Sequence, residues 1–438
     1  MGVKTAKFGG SSVADGIQLA KIKDIIEADK ERRYIVVSAP GKRFDGDSKI
    51  TDLLFMCKAQ ADHNIPYEQL LQVITDRYSA IKYNLGVDVD IDSEYEIIRK
   101  KLADGCSEDY IASRGEYLSA ILVAAYLGYD FVDTEGLILF DSKGRLLPEE
   151  TNKALSKELK KHKRAVLPGF YGSDIKTGEI KILSRGGSDV TGSLVARAVN
   201  ADIYENWTDV SGLLMADPRV VKNPEPIDYI SYMELRELSY MGASVLHDEA
   251  VFPVRLAGIP INIRNTNAPE DPGTIITTES SYKNKKLFSG IAGKQPFTVI
   301  TVYKNMMNKE VGFVRRALTV LEDLDISFDH IPTGIDSLSV VIESAELDDN
   351  LDEILKEFEQ RLHPDEIVVT PDIALIAVVG MGLVHNVGVA AKITKALADA
   401  KVNIRMINQG TSEINVIIGV EAKDFKKATR AIYDALAS

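Results

Sequence analysis

Cysteine is nearly absent from this chain, with only Cys57 and Cys106 among 438 residues. Two are too few for a disulfide framework, so the core must hold the fold, and a reducing, cytoplasmic setting is expected. No apolar run is long enough to span a bilayer, and the opening MGVKTAKFGGSS lacks the apolar stretch of a signal peptide. Basic residues are in the minority, 52 Lys and Arg against 65 Asp and Glu, for a formal net charge of -13. That balance argues against nucleic acid or an anionic membrane as a partner, and any anionic small molecule would need a locally basic site. No GxxxxGK[ST] phosphate loop occurs. The length and the 45% hydrophobic, 27% charged composition fit a well-cored protein of two or three domains.

Residues 1–290 alternate strand-like and helix-like stretches. Tyr34–Ser38, Ala165–Leu167, Ile203-Tyr204 and Pro260–Arg264 are short apolar runs, each followed by small polar residues. Helical patterns between them imply a mostly parallel sheet with helices on both faces, and ligands outside the carboxyl ends of its strands. Asp52–Leu118 is mostly helical by pattern and is expected as an insert over the site.

Residues 291–438 contain a repeat. At an offset of 76 positions, Phe297–Ile342 aligns with Ile373–Ile418 without a gap. Val311-Gly312 falls on Val387-Gly388, Asp329 on Arg405, and Leu338–Ile342 on Ile414–Ile418. Each copy reads strand, glycine-bearing loop, amphipathic helix, strand, turn, strand.

Two stretches place paired glycines and hydroxyls at a helix start. Lys7-Phe8-Gly9-Gly10-Ser11-Ser12 follows a strand; Arg185-Gly186-Gly187-Ser188-Asp189 opens a helix. Glycines let backbone N–H groups close on an anion, helix N-termini add favourable partial charge, and Lys7 and Arg185 add cations. An ordinary turn with a surface lysine, and Asp189 as a helix cap, fit the same residues. Trp207-Thr208-Asp209 to Arg219 is equally compatible with turn chemistry, and Glu116 in Arg114-Gly115-Glu116 with a solvated helix residue.

Together these stretches resemble the aspartate kinases of the amino-acid-kinase family. The resemblance covers Lys7–Ser12, Ser38–Gly41, Ile50–Leu54, Arg114–Glu116, Gly169–Gly172, Arg185–Asp189 and Trp207–Arg219, with the repeat resembling tandem ACT domains. It implies a three-layer α/β/α catalytic domain over 1–290, then two α+β, ferredoxin-like ACT units over 291–370 and 371–438, the first inserted in the second. It implies Lys7, Asp189 and Arg185 at the chemistry. Ser38, Thr51, Glu116, Phe170, Tyr171, Arg185 and Ser188 would bind aspartate, with Glu116 accepting its ammonium. Lys7, Gly9, Gly10, Ser11, Thr208, Asp209, Arg219 and Ser244 would hold ATP, with Mg²⁺ carried on the nucleotide and no metal site of the protein's own. Ser244 stands where many relatives have a lysine, and Leu214 where many have an aromatic residue. An amino-acid effector, lysine foremost, would meet Met307, Gly312, Phe313, Val314, Asp329 and Thr333, and ACT pairing implies a homodimer or larger assembly. A different kinase of the fold, or an inert amino-acid-binding regulator, is the competing expectation. A fused homoserine dehydrogenase is not expected at this length.

Overall fold

The computed structural model describes residues 2–184, 186–243, 246, 248–278, 286–347 and 350–437. Arg185 and Ser244 lie outside them. The chain forms two units. The first comprises 1–213, 226–232 and 245–284; the second comprises 214–225, 233–244 and 285–438.

The first unit is built on an eight-stranded sheet. Its spatial order is Tyr229–Ser231, Thr274–Thr277, Ile261–Asn265, Ile203–Thr208, Lys4–Phe8, Arg32–Val37, Ala165–Pro168, Asp130–Phe131. Neighbours run parallel except Ile261–Asn265 against Thr274–Thr277. Alternation along Arg32–Val37 builds two cores. Ile35 and Val37 join a cluster with residues of the helices Gly16–Ala28, Ile50–Asp62, Glu68–Leu85, Asp92–Ala103 and Glu108–Leu127. Tyr34 and Val36 face the opposite cluster, with residues of Pro148–Leu159 and Gly187–Ala198. The stretch expected as an insert is therefore most of one layer of the sandwich: Leu53, Leu71, Ile98 and Ile111 share a core with the sheet itself. Among the described residues no helix is long and apolar enough to cross a membrane.

A buried ion pair ties strands on either side of Lys4–Phe8. Arg32 donates to Glu205 through Nε (2.6 Å) and Nη2 (3.1 Å), and Trp207 Nε1 donates to the same carboxylate at 2.9 Å. Both side chains are under a tenth exposed. Arg32→Ala leaves Glu205 charged and unmatched, and should cost about 3–5 kcal/mol. A urea midpoint shifted by that amount, at unchanged slope, is the expected result; a loss under about 1 kcal/mol would deny the pair that role.

The second unit centres on a five-stranded antiparallel sheet ordered Ser337–Glu343, Gly290–Tyr303, Glu366–Val379, Asn415–Glu421, Met406–Asn408. Its two middle strands pair from Gly290 opposite Val379 to Tyr303 opposite Glu366. One end of this ribbon carries the helices Phe313–Asp323 and Leu351–Leu362, and the other Val389–Asp399 and Phe425–Ala437. The two ACT units expected at 291–370 and 371–438 are thus a single body with shared strands. The boundary expected at 290 is also revised. Residues 214–225 and 233–244 go with this unit because Arg430 Nε donates to Val220 O, Tyr433 OH accepts from Glu225 N, and Asn415 Nδ2 donates to Glu237.

The repeat has one gap. The helices Phe313–Asp323 and Val389–Asp399 lie 76 positions apart. Asp329 N and Arg405 N donate to Val341 O and Gly419 O, each at 2.8 Å. Asp329 and Arg405 therefore correspond, whereas Gly419 lies 78 positions after Val341. Two extra residues sit between Arg405 and Asn415, and Leu338–Ile342 matches Val416–Val420 rather than Ile414–Ile418.

Candidate active site

The carboxyl ends of three neighbouring parallel strands converge. Lys7, next to last in Lys4–Phe8, stands opposite Val36 and Asn206 in register. Its side chain is buried, and Nζ lies 2.5 Å from Asp189 Oδ1. Asn206 Nδ2 donates to that oxygen at 2.9 Å, and Tyr204 OH to the Asp189 carbonyl at 3.1 Å. Asp189 sits in the first turn of Gly187–Ala198, whose N-cap is Gly186 at φ 74°, so it is an ion-pair partner and not the cap.

The two glycine loops are built for close approach. Gly41 N donates to Gly10 O at 2.8 Å, and a Cβ on Gly41 would meet Gly10 C at 2.8 Å and Ser11 N at 3.0 Å. Gly10–Val13 forms a short 3₁₀ turn after Gly9, whose N–H is committed to Trp207 O. Ser12 is pinned by its hydroxyl to Thr266. Against the second loop packs the Gly169–Gly172 turn: a Cβ on Gly169 would lie 2.6 Å from Ser188, and one on Gly187 would strike Phe170 at 2.7 Å. Phe170 itself adopts φ 76°, a conformation that costs a bulky residue about 1–3 kcal/mol and concentrates at functional sites. Its N–H donates to Thr191 Oγ1.

Glu116 lies in the Glu108–Leu127 helix, which passes so near Ala39 that a Cβ on Gly115 would sit 2.8 Å from the alanine methyl. The residue is 5% exposed, and Oε2 of its carboxyl has no hydrogen-bond partner among the described residues. Burial drives its pKa up to about 8, against partial relief from the Ala39 N–H and the charge of Lys7. A carboxylate stripped of water and half unsatisfied is suited to receive a cation. Ser38 and Thr51 follow at the end of Arg32–Val37 and the start of Ile50–Asp62, whose first N–H is held by Pro40 O.

Other expected residues fall elsewhere. Tyr171 is fully buried, its hydroxyl donating to Asp133 at 2.6 Å and its ring under Arg114. Thr208 and Asp209 are hydrogen-bonded to each other at 3.2 Å at the end of Ile203–Thr208. Arg219 belongs to the second unit, almost fully exposed and paired with Asp217 at 2.7 Å. Leu214 is exposed there too. Asn206, Thr191, Asp133 and Thr266 were not anticipated; the place of Asn206 opposite Lys7 follows from strand order, which no residue pattern carries.

In the second unit Met307 and Phe313 are core residues, packed with Val320, Leu338 and Phe358. Val314 is half-buried against that core. Gly312, at φ 82°, opens the Phe313–Asp323 helix beside an almost fully exposed Val311; Gly388, at φ 95°, and Val387 repeat this arrangement. Asp329 accepts a hydrogen bond from Tyr240 OH at 2.7 Å, and Thr333 bridges to Leu338.

The Amino acid kinase family model matches residues 4–265, and an ACT domain model matches 376–436. The chain is 38% identical to Aspartokinase 3 of Bacillus subtilis over 98% of each sequence. It superposes on the aspartate kinase of Clostridium acetobutylicum with a TM-score of 0.93, at 49% identity and 100% coverage of both chains. Aspartokinase III of E. coli, solved with aspartate and ADP, gives a TM-score of 0.74 at 26% identity, again over 100% of both chains. The same enzyme solved with lysine and aspartate gives 0.75. The chain belongs to the amino acid kinase family, in its aspartate kinase branch that carries ACT domains.

Proposed function

We propose that this chain transfers the γ-phosphoryl group of ATP to the side-chain carboxylate of L-aspartate, yielding 4-phospho-L-aspartate and ADP. This is the entry step to lysine, threonine and methionine biosynthesis. The observation that carries the reading is the buried Glu116 carboxyl with its unpaired oxygen, within electrostatic reach of a Lys7 already buried beside two glycine loops.

The acceptor is ionised at neutral pH, since a free side-chain carboxyl has a pKa near ~4, so no general base is required. One of its oxygens attacks the γ-phosphorus; the bond from that phosphorus to the bridging oxygen breaks, and ADP leaves with the electron pair. Catalysis then reduces to alignment and charge neutralisation. Glu116 holds the α-ammonium, Arg185 the α-carboxylate, and Ser38, Thr51, Phe170 and Ser188 the walls. Gly9, Gly10 and Ser11 approach the phosphates, while Thr208 and Asp209 hold the nucleotide. Lys7 neutralises the phosphoryl group in flight, and Asp189 with Asn206 fixes the direction of its ammonium. Mg²⁺ neutralises phosphate charge when bound.

The second unit is read as the sensor, with the first ACT unit inserted between the halves of the second and homodimers formed through these domains. Its effector is an amino acid, lysine foremost. The test of the activity is ADP release with L-aspartate as acceptor. Turnover with aspartate and none with glutamate, N-acetylglutamate or UMP is expected; preference for any of the latter, or no turnover, rejects the assignment.

A further inference from the structure

The helix Tyr232–Tyr240 is tied at both ends by tyrosine hydroxyls. Tyr232 OH donates to Ile259 O at 2.8 Å, and Tyr240 OH donates to Asp329 Oδ1 at 2.7 Å. Between them Glu234 accepts from Met381 N and Ser289 Oγ, each at 2.6 Å, and Glu237 accepts from Asn415 Nδ2 at 2.6 Å. One helical face, at positions three apart, thus engages both sensor repeats. The first of these tyrosines falls in the first unit; Met233 onward falls in the second.

We infer that Tyr240 is a competitor for the effector site: its hydroxyl occupies the Asp329 oxygen that the ammonium of an amino-acid effector must take. The inference rests on the reading of Asp329 as the effector's counter-ion. The Tyr240 ring is 60% exposed, so packing does not compel the contact, and the hydroxyl can leave without opening a cavity. Glu234 and Glu237 keep the rest of the helix in place when it does. The chain then runs through Met241 and Gly242, the latter at φ 96°. Arg405, the counterpart of Asp329 in the second repeat, presents a cation and offers no such contest. Competition of this kind makes effector binding release the last turn of the helix, and by reciprocity anything that holds Tyr240 on Asp329 weakens the effector.

The test is calorimetric titration of the full chain with L-lysine, and separately with L-threonine, comparing wild type with Tyr240→Phe and Asp329→Asn. Removing a competing hydrogen bond should tighten effector binding about 3- to 10-fold in Tyr240→Phe. A lost structural contact would leave affinity unchanged or lower it, and either result overturns the inference. Asp329→Asn should weaken the same ligand about 10-fold or more. If it does so while Tyr240→Phe is indistinguishable from wild type, the effector site stands and the competition falls. Unaltered binding in Asp329→Asn, or no binding of either amino acid to wild type, removes the effector reading and this inference together.

Discussion

Lys7→Ala should lower kcat by about 10²- to 10³-fold, the usual cost of removing one preorganised donor from a developing charge. KM for ATP should change much less. The glycine loops, Thr208 and Asp209 would still hold the nucleotide, whereas the Lys7 ammonium, buried and aimed by Asp189, would act mostly on the phosphoryl group in transit. Asp189 retains Asn206 as a donor in the variant, so the fold should survive, and a thermal melt checks that it does. Lys7→Arg restores the charge but not the compact ammonium that fits between Gly9 and Asp189, and should rescue little. A kcat within about 3-fold of wild type, far short of the loss of a preorganised donor, would take Lys7 out of the mechanism.

Glu116→Gln should do two opposite things. It should raise KM for aspartate about 10- to 100-fold, the worth of a charge-assisted hydrogen bond in a buried site. It should also stabilise the free protein at alkaline pH. The folded carboxyl titrates near 8 against an ordinary value of 4.5, so the folded state holds its proton more tightly than the unfolded chain. Below about 4.5 both states are protonated. From there to about 8 the unfolded state sheds its proton and the folded state does not, so stability falls with rising pH and then levels. Glutamine has no such titration, and its melting temperature should exceed that of wild type by a few degrees at pH 8 and by little at pH 5. The same proton governs substrate capture. In wild type, kcat/KM for aspartate should climb with pH and flatten near 8, because only the ionised form pairs with the substrate ammonium. That limb should vanish in Glu116→Gln; a flat wild-type profile from pH 6 to 8.5 would contradict the assignment.

Much of this was legible in the residues. Glycine pairs ahead of helices announced the two loops, and the amphipathic helix read in each copy announced the core of the first repeat. The Lys7–Asp189 pair was not legible, because it depends on which strand lies beside Lys4–Phe8. Nor was Arg32–Glu205, which crosses that same strand. The two-residue slip in the repeat was hidden because Ile414–Ile418 and Val416–Val420 are equally apolar. The docking of Met233–Tyr240 onto the sensor depends on carboxylates that read, in sequence, as a solvated face.

Trp207 is the chain's single tryptophan. It is buried between Phe8, stacked at 5.9 Å, and the guanidinium groups of Arg32 and Arg264. The protein therefore carries a built-in optical reporter confined to the catalytic unit and silent about the sensor. Its emission should follow unfolding of the sheet alone, while far-ultraviolet circular dichroism follows both units. Where the two denaturation curves coincide the units unfold as one; where they separate, the gap between their midpoints measures how independently each half stands.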